Sequence, residues 1–199
     1  MSKLIGATNI DDEEVQLSGL QCLVELAKEQ YEFLVDFVDD TQSSKMIDLI
    51  REITMKLKTS QNMRVGAQCF EFWTTIIETE NGRAERGLPI HNFVEQNKEM
   101  VLQMIFSGIC IITFDEDDDD DEWGPALAAA ACLAVFAQSI KDAILTPVVN
   151  FVATKIQNQQ DWKDRYSGLI AFGSITEGPD RMQFSNILNQ ALQNILSLS

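Results

Sequence analysis

The sequence predicts an all-α fold, a solenoid of stacked antiparallel helix pairs. Apolar residues recur at spacings of three and four along almost the whole chain of 199 residues, and strand-like alternation is scarce. The four prolines fall at the edges of these segments, where a helix tolerates them. With 45% hydrophobic residues, the chain can bury a large core.

A repeated pattern within the chain indicates the solenoid. Four segments can be laid over one another, and each places small residues before large apolar residues that recur three and six positions on. Their anchors are Leu20, Phe70, Ala130 and Leu169. The last interval of 39 residues is close to the roughly 40–47 residues of a two-helix solenoid repeat. A single helix pair cannot bury its apolar face alone, so the pairs are expected to stack.

The helices follow in order from these segments. Residues 1–7 end a first helix, 12–29 form its partner, and a last helix begins near 181. Between them we expect three pairs: 31–58 with 61–80, 92–114 with 123–140, and 141–157 with 160–177. The corresponding repeats are 1–30 (partial), 31–80, 92–140, 141–178 and 179–199 (partial). Because the array starts and stops within a pair, it is expected to be part of a longer protein; the loop 81–91 has no assigned role.

The charge of the chain limits its partners. The formal net charge is −16, and residues 115–122 contribute eight of these charges. Such a field repels nucleic-acid phosphates and anionic lipid, so neither nucleic-acid binding nor membrane insertion is expected. The apolar run 100–114 is shorter than the roughly 20 residues of a membrane span and predicts a buried helix.

Metal, cofactor and catalytic sites are not expected. Cys22, Cys69, Cys110 and Cys132 are far apart and accompanied by a single histidine, His91. This spacing disfavours zinc, and reduced core thiols are the simpler interpretation. The acidic run lacks the spaced ligands and central glycine of a calcium loop. No phosphate-binding glycine loop or nucleophile motif is present, so the chain is not expected to be an enzyme.

The most informative segment is the acidic run between the two helices of one pair. It comprises Asp115, Glu116, Asp117, Asp118, Asp119, Asp120, Asp121 and Glu122, and Trp123 follows it directly. Like charges in a row resist compact packing, so a solvated loop or frayed helix end is expected. Carboxylates before the helix that begins at Gly124 and Pro125 are favoured by its dipole. That effect explains one or two acids but not eight.

Specific motifs resemble the importin-β (karyopherin-β) nuclear import receptors. The resemblance lies in DDDDDEWGPALAAAACLAVFA, in the later ILTPVVNFVATKIQNQQDWKDRYSGLIAFGSITEGP and in QCFEFWTTIIETE. Members of the family carry an acidic loop within one HEAT repeat, a tryptophan directly after it and a DW…R…AFG.I.EGP segment. The matching residues here are Asp161, Trp162, Arg165, Ala171, Phe172, Gly173, Ile175, Glu177, Gly178 and Pro179. The resemblance covers essentially the whole chain and implies a right-handed HEAT-repeat superhelix.

The resemblance also implies a function and partners. The chain would belong to a transport receptor of cytoplasm and nucleus that binds the basic segment of importin-α, or basic cargo. It would also bind Ran in its GTP form and phenylalanine-glycine (FG) nucleoporins. Residues 115–122 and Trp123 would form the basic-partner and Ran-binding site. Two alternatives remain at this point: a HEAT-repeat scaffold, such as a phosphatase scaffold, and an acidic chaperone for basic proteins such as histones.

Further residues are weaker candidates. Trp162, Glu78 and Glu80 are candidates for inner-surface contacts, although solvated charge is the simpler interpretation of the two glutamates. Tyr31, Leu34 and Phe37 form a helical stripe that is a candidate for nucleoporin contacts or, more simply, a core stripe. Trp73 lies on the predicted buried stripe and is expected in the core.

Overall fold

The structure is a computed structural model that describes residues 12–32, 51, 63–112 and 124–196, with side chains to residue 189. Every element within these residues is helical. The helices are α1 Glu13–Glu29, α2 Met63–Glu85, α3 Phe93–Ile109, α4 Pro125–Ile140, α5 Leu145–Ile156, α6 Trp162–Ser174 and α7 Arg181–Leu196. The chain divides into two compact units, residues 1–132 and 133–199. This division falls inside the predicted repeat 92–140, so the repeat boundaries stay a prediction.

In the first unit, α1 packs against α2. Asp12 caps α1, because its side chain accepts a hydrogen bond from the Val15 N–H at 3.1 Å. The buried face of α1 follows the helical spacing, with Leu20 and Leu23 0% and 1% exposed. On α2 the anchor Phe70 and its neighbour Trp73 are likewise buried. The apolar stripes predicted for these two helices are therefore confirmed.

Helix α2 runs to Glu85, whereas the sequence predicts an end at residue 80 and a loop from 81. The helix ends in a Schellman motif. Gly87 takes a positive φ of 67° and donates to the Ala84 carbonyl at 3.0 Å, and Leu88 donates to the Arg83 carbonyl at 2.9 Å. The stop signal is thus Gly87 rather than the earlier Gly82, which sits inside the helix.

The second unit contains α5 packed against α6. The fourth predicted stripe is wrong in part, since its anchor Leu169 is 59% exposed. The buried positions of α6 are instead Ser167, Gly168 and Ala171. At Gly168 an added Cβ would lie 3.3 Å from the Lys155 Cβ, so this small residue brings the two helices together.

The helical run Pro125–Ile156 is long and apolar enough to cross a membrane by length and composition alone. A buried core helix of a soluble protein meets the same test, and 44% of the apolar stretch is buried. The run is also interrupted by the 3-10 turn Lys141–Ile144, where Lys141 has a positive φ of 51°. We therefore interpret the run as core helices.

Candidate functional site

The acidic run and Trp123 lie outside the described residues, as part of 113–123. Both sides of this segment are well defined. On one side α3 ends at Ile109, and Ile111 and Ile112 are buried after it. On the other side α4 begins at Pro125, which is buried as well. The eight acids are therefore attached at both ends to buried chain of the first unit.

The helices that flank the acidic run approach closely. A Cβ added at Gly108 of α3 would lie 2.8 Å from the Ala129 Cβ of α4 and 2.2 Å from the Phe70 ring of α2. One turn further along α4, the hydroxyl of Thr74 in α2 hydrogen-bonds the buried Cys132 sulfur. Burial raises the pKa of the Cys132 thiol to about 12.

Exposed carboxylates on α1 and α2 give the first unit a further acidic face. Glu71 and Glu78 lie seven residues apart on one side of α2, and both contribute to the raised pKa of Cys132. Glu25 of α1 and Glu71 line a shallow groove between the two helices. Glu78 was predicted from the sequence as a candidate contact, whereas Glu25 and Glu71 were not. The seven-residue spacing of Glu71 and Glu78 was the available signal.

The net charge of the chain differs between the two compact units. Residues 133–199 contain five Lys or Arg and five Asp or Glu, so the whole formal charge of −16 lies in residues 1–132. Attraction for a basic partner is therefore a property of the first unit.

The candidate role of Glu80 as an inner-surface or solvated charge is wrong, because Glu80 is only 5% exposed. Its carboxylate accepts hydrogen bonds from the backbone N–H groups of Phe93 at 2.8 Å and Val94 at 3.1 Å. It also accepts a hydrogen bond from the Tyr31 hydroxyl. A buried carboxylate requires such donors. Glu78, two residues earlier, is exposed and stays a candidate.

Tyr31 is buried at 3% exposure, so its candidate role as a nucleoporin contact is wrong in this structure. Burial and the Glu80 carboxylate raise the pKa of its hydroxyl above the ordinary range. The guanidinium carbon of Arg83 lies 5.1 Å from the Tyr31 ring centre. Leu34 and Phe37, the other members of this stripe, lie outside the described residues.

The tryptophans differ in environment. Trp73 is fully buried and stacks on Phe93 with ring centres 5.7 Å apart, so the core position is confirmed. Trp162 is 49% exposed at the start of α6. Its ring centre lies 6.0 Å from the Lys163 amine and 6.2 Å from the Tyr166 ring. A surface role for Trp162 stays a prediction.

In the second unit, the DW…R residues organise the turn between α5 and α6. Asp161 caps α6, because its side chain accepts a hydrogen bond from the Lys163 N–H at 2.9 Å. Arg165 donates to the carbonyls of Asn158 and Gln159, each at 2.9 Å. These residues are held by backbone partners within the turn.

An ion pair between two partly buried side chains, Lys155 and Asp164, also stabilises this turn. The Lys155 amine lies 2.5 Å from one Asp164 oxygen, and the Asn158 amide donates to the other at 2.9 Å. The two hydrogen bonds lower the pKa of the Asp164 carboxyl.

The EGP segment after α6 packs onto the end of α4 and the following turn. Gly178 has a positive φ of 111°, and a Cβ there would lie 2.4 Å from the Ala137 carbonyl oxygen. Asp180 starts α7 by accepting the Met182 N–H at 2.9 Å, and its own N–H donates to Asp142 at 2.7 Å. The most specific sequence motif of the chain thus forms a structural turn.

Within residues 12–32, 63–112 and 124–189, no three His, Cys, Asp or Glu side chains are grouped so as to hold a metal ion. The described residues support an acidic surface, formed by the exposed carboxylates Glu71 and Glu78 of α2 and Glu25 of α1.

The all-helical fold matches the HEAT-repeat solenoid of solved importin-β structures. The chain is homologous along its whole length to importin subunit beta-1. It is 31% identical to the protein of Saccharomyces cerevisiae and 30% identical to that of Schizosaccharomyces pombe, in each case over 100% of this chain. It spans only 22% and 23% of the length of these relatives. No family model matches the chain.

Solved structures agree with this homology. Yeast importin-β, Kap95p, matches 98% of the chain with a TM-score of 0.81 and 31% identity, and this chain covers 22% of it. A second structure with the same scores describes Kap95p binding that induces the switch loops of RanGDP to adopt the GTP-bound conformation. A third is a Kap95:Nup1 complex, with a TM-score of 0.80 and 30% identity over 98% of this chain and 22% of that one.

Proposed function

We propose that this chain is a segment of a nuclear import receptor and binds lysine- and arginine-rich segments of its partners. The proposal rests on its homology with importin subunit beta-1 over the whole chain. The acidic run 115–122 and Trp123 would form the main contact, and the exposed carboxylates Glu71 and Glu78 would add to the attraction. The partner would be the basic segment of importin-α or basic cargo directly.

The chemistry of the run suits such a partner. Each exposed ion pair contributes only about 0–1 kcal/mol, so affinity must come from the number of carboxylates. A tryptophan face beside them adds about 0.5–2 kcal/mol for each arginine or lysine stem that it meets. The acidic field of the first unit also speeds encounter, and this effect weakens as salt rises.

Two further partners follow from the homologous structures. Because Kap95p has been solved with RanGDP and with Nup1, we propose Ran, in its GTP form, and FG nucleoporins as partners of the receptor to which this segment belongs. If Ran and the basic segment both use the acidic run, each lowers the affinity of the other by the same factor. This competition would unload cargo in the nucleus. The receptor would act in cytoplasm and nucleus without catalysing a reaction.

The test is fluorescence anisotropy with an arginine-rich importin-α segment, recorded from low to high salt. Two variants are compared with the parent chain: one with residues 117–121 changed to serine, and Trp123→Ala. A third variant, Glu85→Gln with Glu99→Gln, removes two exposed carboxylates elsewhere in the first unit. We expect a salt-sensitive affinity that falls in the first two variants and stays near the parent value in the third.

Two results would contradict the proposal. Equal affinity of all variants would mean that the run is only a solvated connection. An acidic chaperone would be favoured instead by a different set of results. Affinity would then fall in proportion to the charge removed, Trp123→Ala would have no effect, and GTP-loaded Ran would not compete.

A further inference from the structure

The first turn of α3 lacks a cap of its own. Asn92, at the N-cap position, has a left-handed φ of 55° and makes no side-chain cap hydrogen bond. The N–H groups of Phe93 and Val94 both donate instead to Glu80 of α2, one to each carboxylate oxygen. These donors would otherwise be unpaired at a buried helix end.

The same carboxylate also holds the segment that follows α1. The Tyr31 hydroxyl donates to Glu80 and accepts the His91 N–H at 3.2 Å. Glu80 and Tyr31 are 5% and 3% exposed, so water does not replace these partners. One buried side chain therefore connects α2 to residues before and after it in the chain. The positive end of the α3 dipole favours its negative charge.

The turn at the start of α3 is bounded on both sides by contacts that hold the chain in place. Before it, Arg83 donates to the Pro89 carbonyl at 2.8 Å and pairs with Glu32 at 2.6 Å. After it, α3 is anchored by buried Val101 and Ile105. The turn of residues 91–94 lies between these anchors. Glu80 supplies its hydrogen bonds to α2, and Trp73 adds a stacking contact with Phe93.

We propose that Glu80 is a latch, because its carboxylate joins α2 to Tyr31 and to the start of α3. The latch determines how readily this turn opens while the rest of the fold stays closed. Removing the carboxylate leaves the apolar packing of α2 and α3 in place but deprives three donors of their acceptor. Such a latch makes the junction between successive helix pairs a discrete point of local opening. It differs from the acidic surface of the proposed function, because its carboxylate faces the protein interior.

The fluorescence of the neighbouring Trp73 reports whether the Glu80 latch is closed. Its ring stacks on Phe93, the first residue of α3, with planes 23° apart. Its buried indole N–H has no hydrogen-bond partner in the part of the chain that the structure describes. Movement of Phe93 away from Trp73 admits water to this ring and shifts its emission to longer wavelength.

The experiment compares Glu80→Ala and Glu80→Gln with Glu78→Ala, an exposed glutamate on the same helix. Hydrogen exchange of the Phe93 and Val94 amides is measured together with that of Phe72 and Ile105. Trp73 emission is recorded in a Trp123→Phe, Trp162→Phe background. For Glu80→Ala we expect exchange at Phe93 and Val94 at least tenfold faster, a red shift of Trp73 and unchanged exchange at Phe72 and Ile105. Glu80→Gln, which keeps one acceptor, is expected to give a smaller effect, and Glu78→Ala none.

The proposal is overturned if Glu80→Ala leaves the Phe93 and Val94 amides at parental rates. It is also overturned if exchange accelerates equally at Phe72 and Ile105, because Glu80 would then support the whole unit. If Glu80→Ala does not fold, hydrogen exchange in the variant Tyr31→Phe tests the proposal instead. Faster exchange confined to His91, Phe93 and Val94 supports the latch, and a uniform change or no change rejects it.

Discussion

Gly108 of α3 lies directly against the ring of Phe70 in α2. A Cβ at Gly108 would stand 2.2 and 2.6 Å from two atoms of that ring. Both residues belong to the core beside α4, where Phe70 is 1% exposed. Only a hydrogen fits at Gly108, so the contact between these helices depends on the absence of a side chain.

Gly108→Ala is expected to lower the free energy of unfolding by about 1–3 kcal/mol, because the added methyl overlaps the buried Phe70 ring. The control is Gly82→Ala in α2, where the atom nearest to the new Cβ is an Arg86 side-chain nitrogen at 3.9 Å. That change is expected to be neutral or to stabilise by about 0.5–1 kcal/mol through helix propensity. Urea unfolding measures both, and equal effects would argue against the close contact.

Gly178→Ala is expected to destabilise the second unit by more than about 2 kcal/mol. The alanine meets both an unfavourable positive φ and the Ala137 backbone at 2.4 Å. Gly173→Ala, five residues earlier on an open face of α6, is the matched control, with no atom within 4 Å of the new Cβ. Thermal unfolding is expected to separate the two variants clearly. A Tm for Gly178→Ala at or above that of Gly173→Ala would be incompatible with the turn described.

Acid is expected to weaken the turn between α5 and α6. The pKa of Asp164 is lowered in the folded chain by Lys155 and Asn158, so its contribution is fully present above the unfolded pKa and is lost as pH falls through the folded pKa. Asp164→Asn removes this dependence. Unfolding free energies of parent and variant, measured from pH 7 to pH 2, are expected to converge at low pH. A constant difference would mean that the carboxylate charge is not involved.

The cysteines are expected to react unequally. All four thiols are free, but Cys22 is exposed whereas Cys69 and Cys132 are buried. This corrects the expectation that each is a core thiol. At pH 8 a thiol with a pKa of about 12 is ionised to only about one part in ten thousand. Cys110 is half-buried and is expected to react more slowly than Cys22. An Ellman assay of the native chain is expected to show a fastest thiol that disappears in Cys22→Ser; if the fastest phase survives this change, the burial pattern is contradicted.

The exposed face of α2 is expected to contribute to binding. Glu71→Gln with Glu78→Gln should weaken affinity for an arginine-rich peptide about two- to fivefold at low salt, since each exposed pair contributes little. The loss should shrink as salt screens the charges. The variant Glu85→Gln with Glu99→Gln removes the same charge from other exposed positions and should bind like the parent. Equal weakening by both pairs would show that total charge, rather than this face, determines affinity.

Local signals predicted much of the fold. Asp12 and Asp161 precede apolar helical runs, and both are observed as N-caps. The small-to-large pattern placed Leu20 and Phe70 in the core because a stripe at helical spacing must be buried somewhere. The same pattern failed at Leu169, since a pattern identifies an apolar face but not whether a neighbour covers it.

The buried polar residues could not be predicted in this way. Glu80 and Tyr31 are 49 residues apart, and Glu80 meets the start of α3 only because the chain turns back after α2. Nothing in the local sequence distinguishes Glu80 from the exposed Glu78. For residues 115–122 the prediction rests on charge alone, because eight adjacent like charges resist compact packing. That prediction concerns residues outside the described part of the chain.

The turn at Gly178 also affects how sequence similarity should be interpreted. The segment AFGSITEGP is one of the two most specific parts of the resemblance, yet its most restricted residue, Gly178, is fixed by the Ala137 backbone rather than by a ligand. This close approach belongs to the joint between helices, so a match in the segment indicates a shared helix arrangement. It carries no information on which basic partner a chain binds, and we expect any such preference to depend on the carboxylates of residues 1–132.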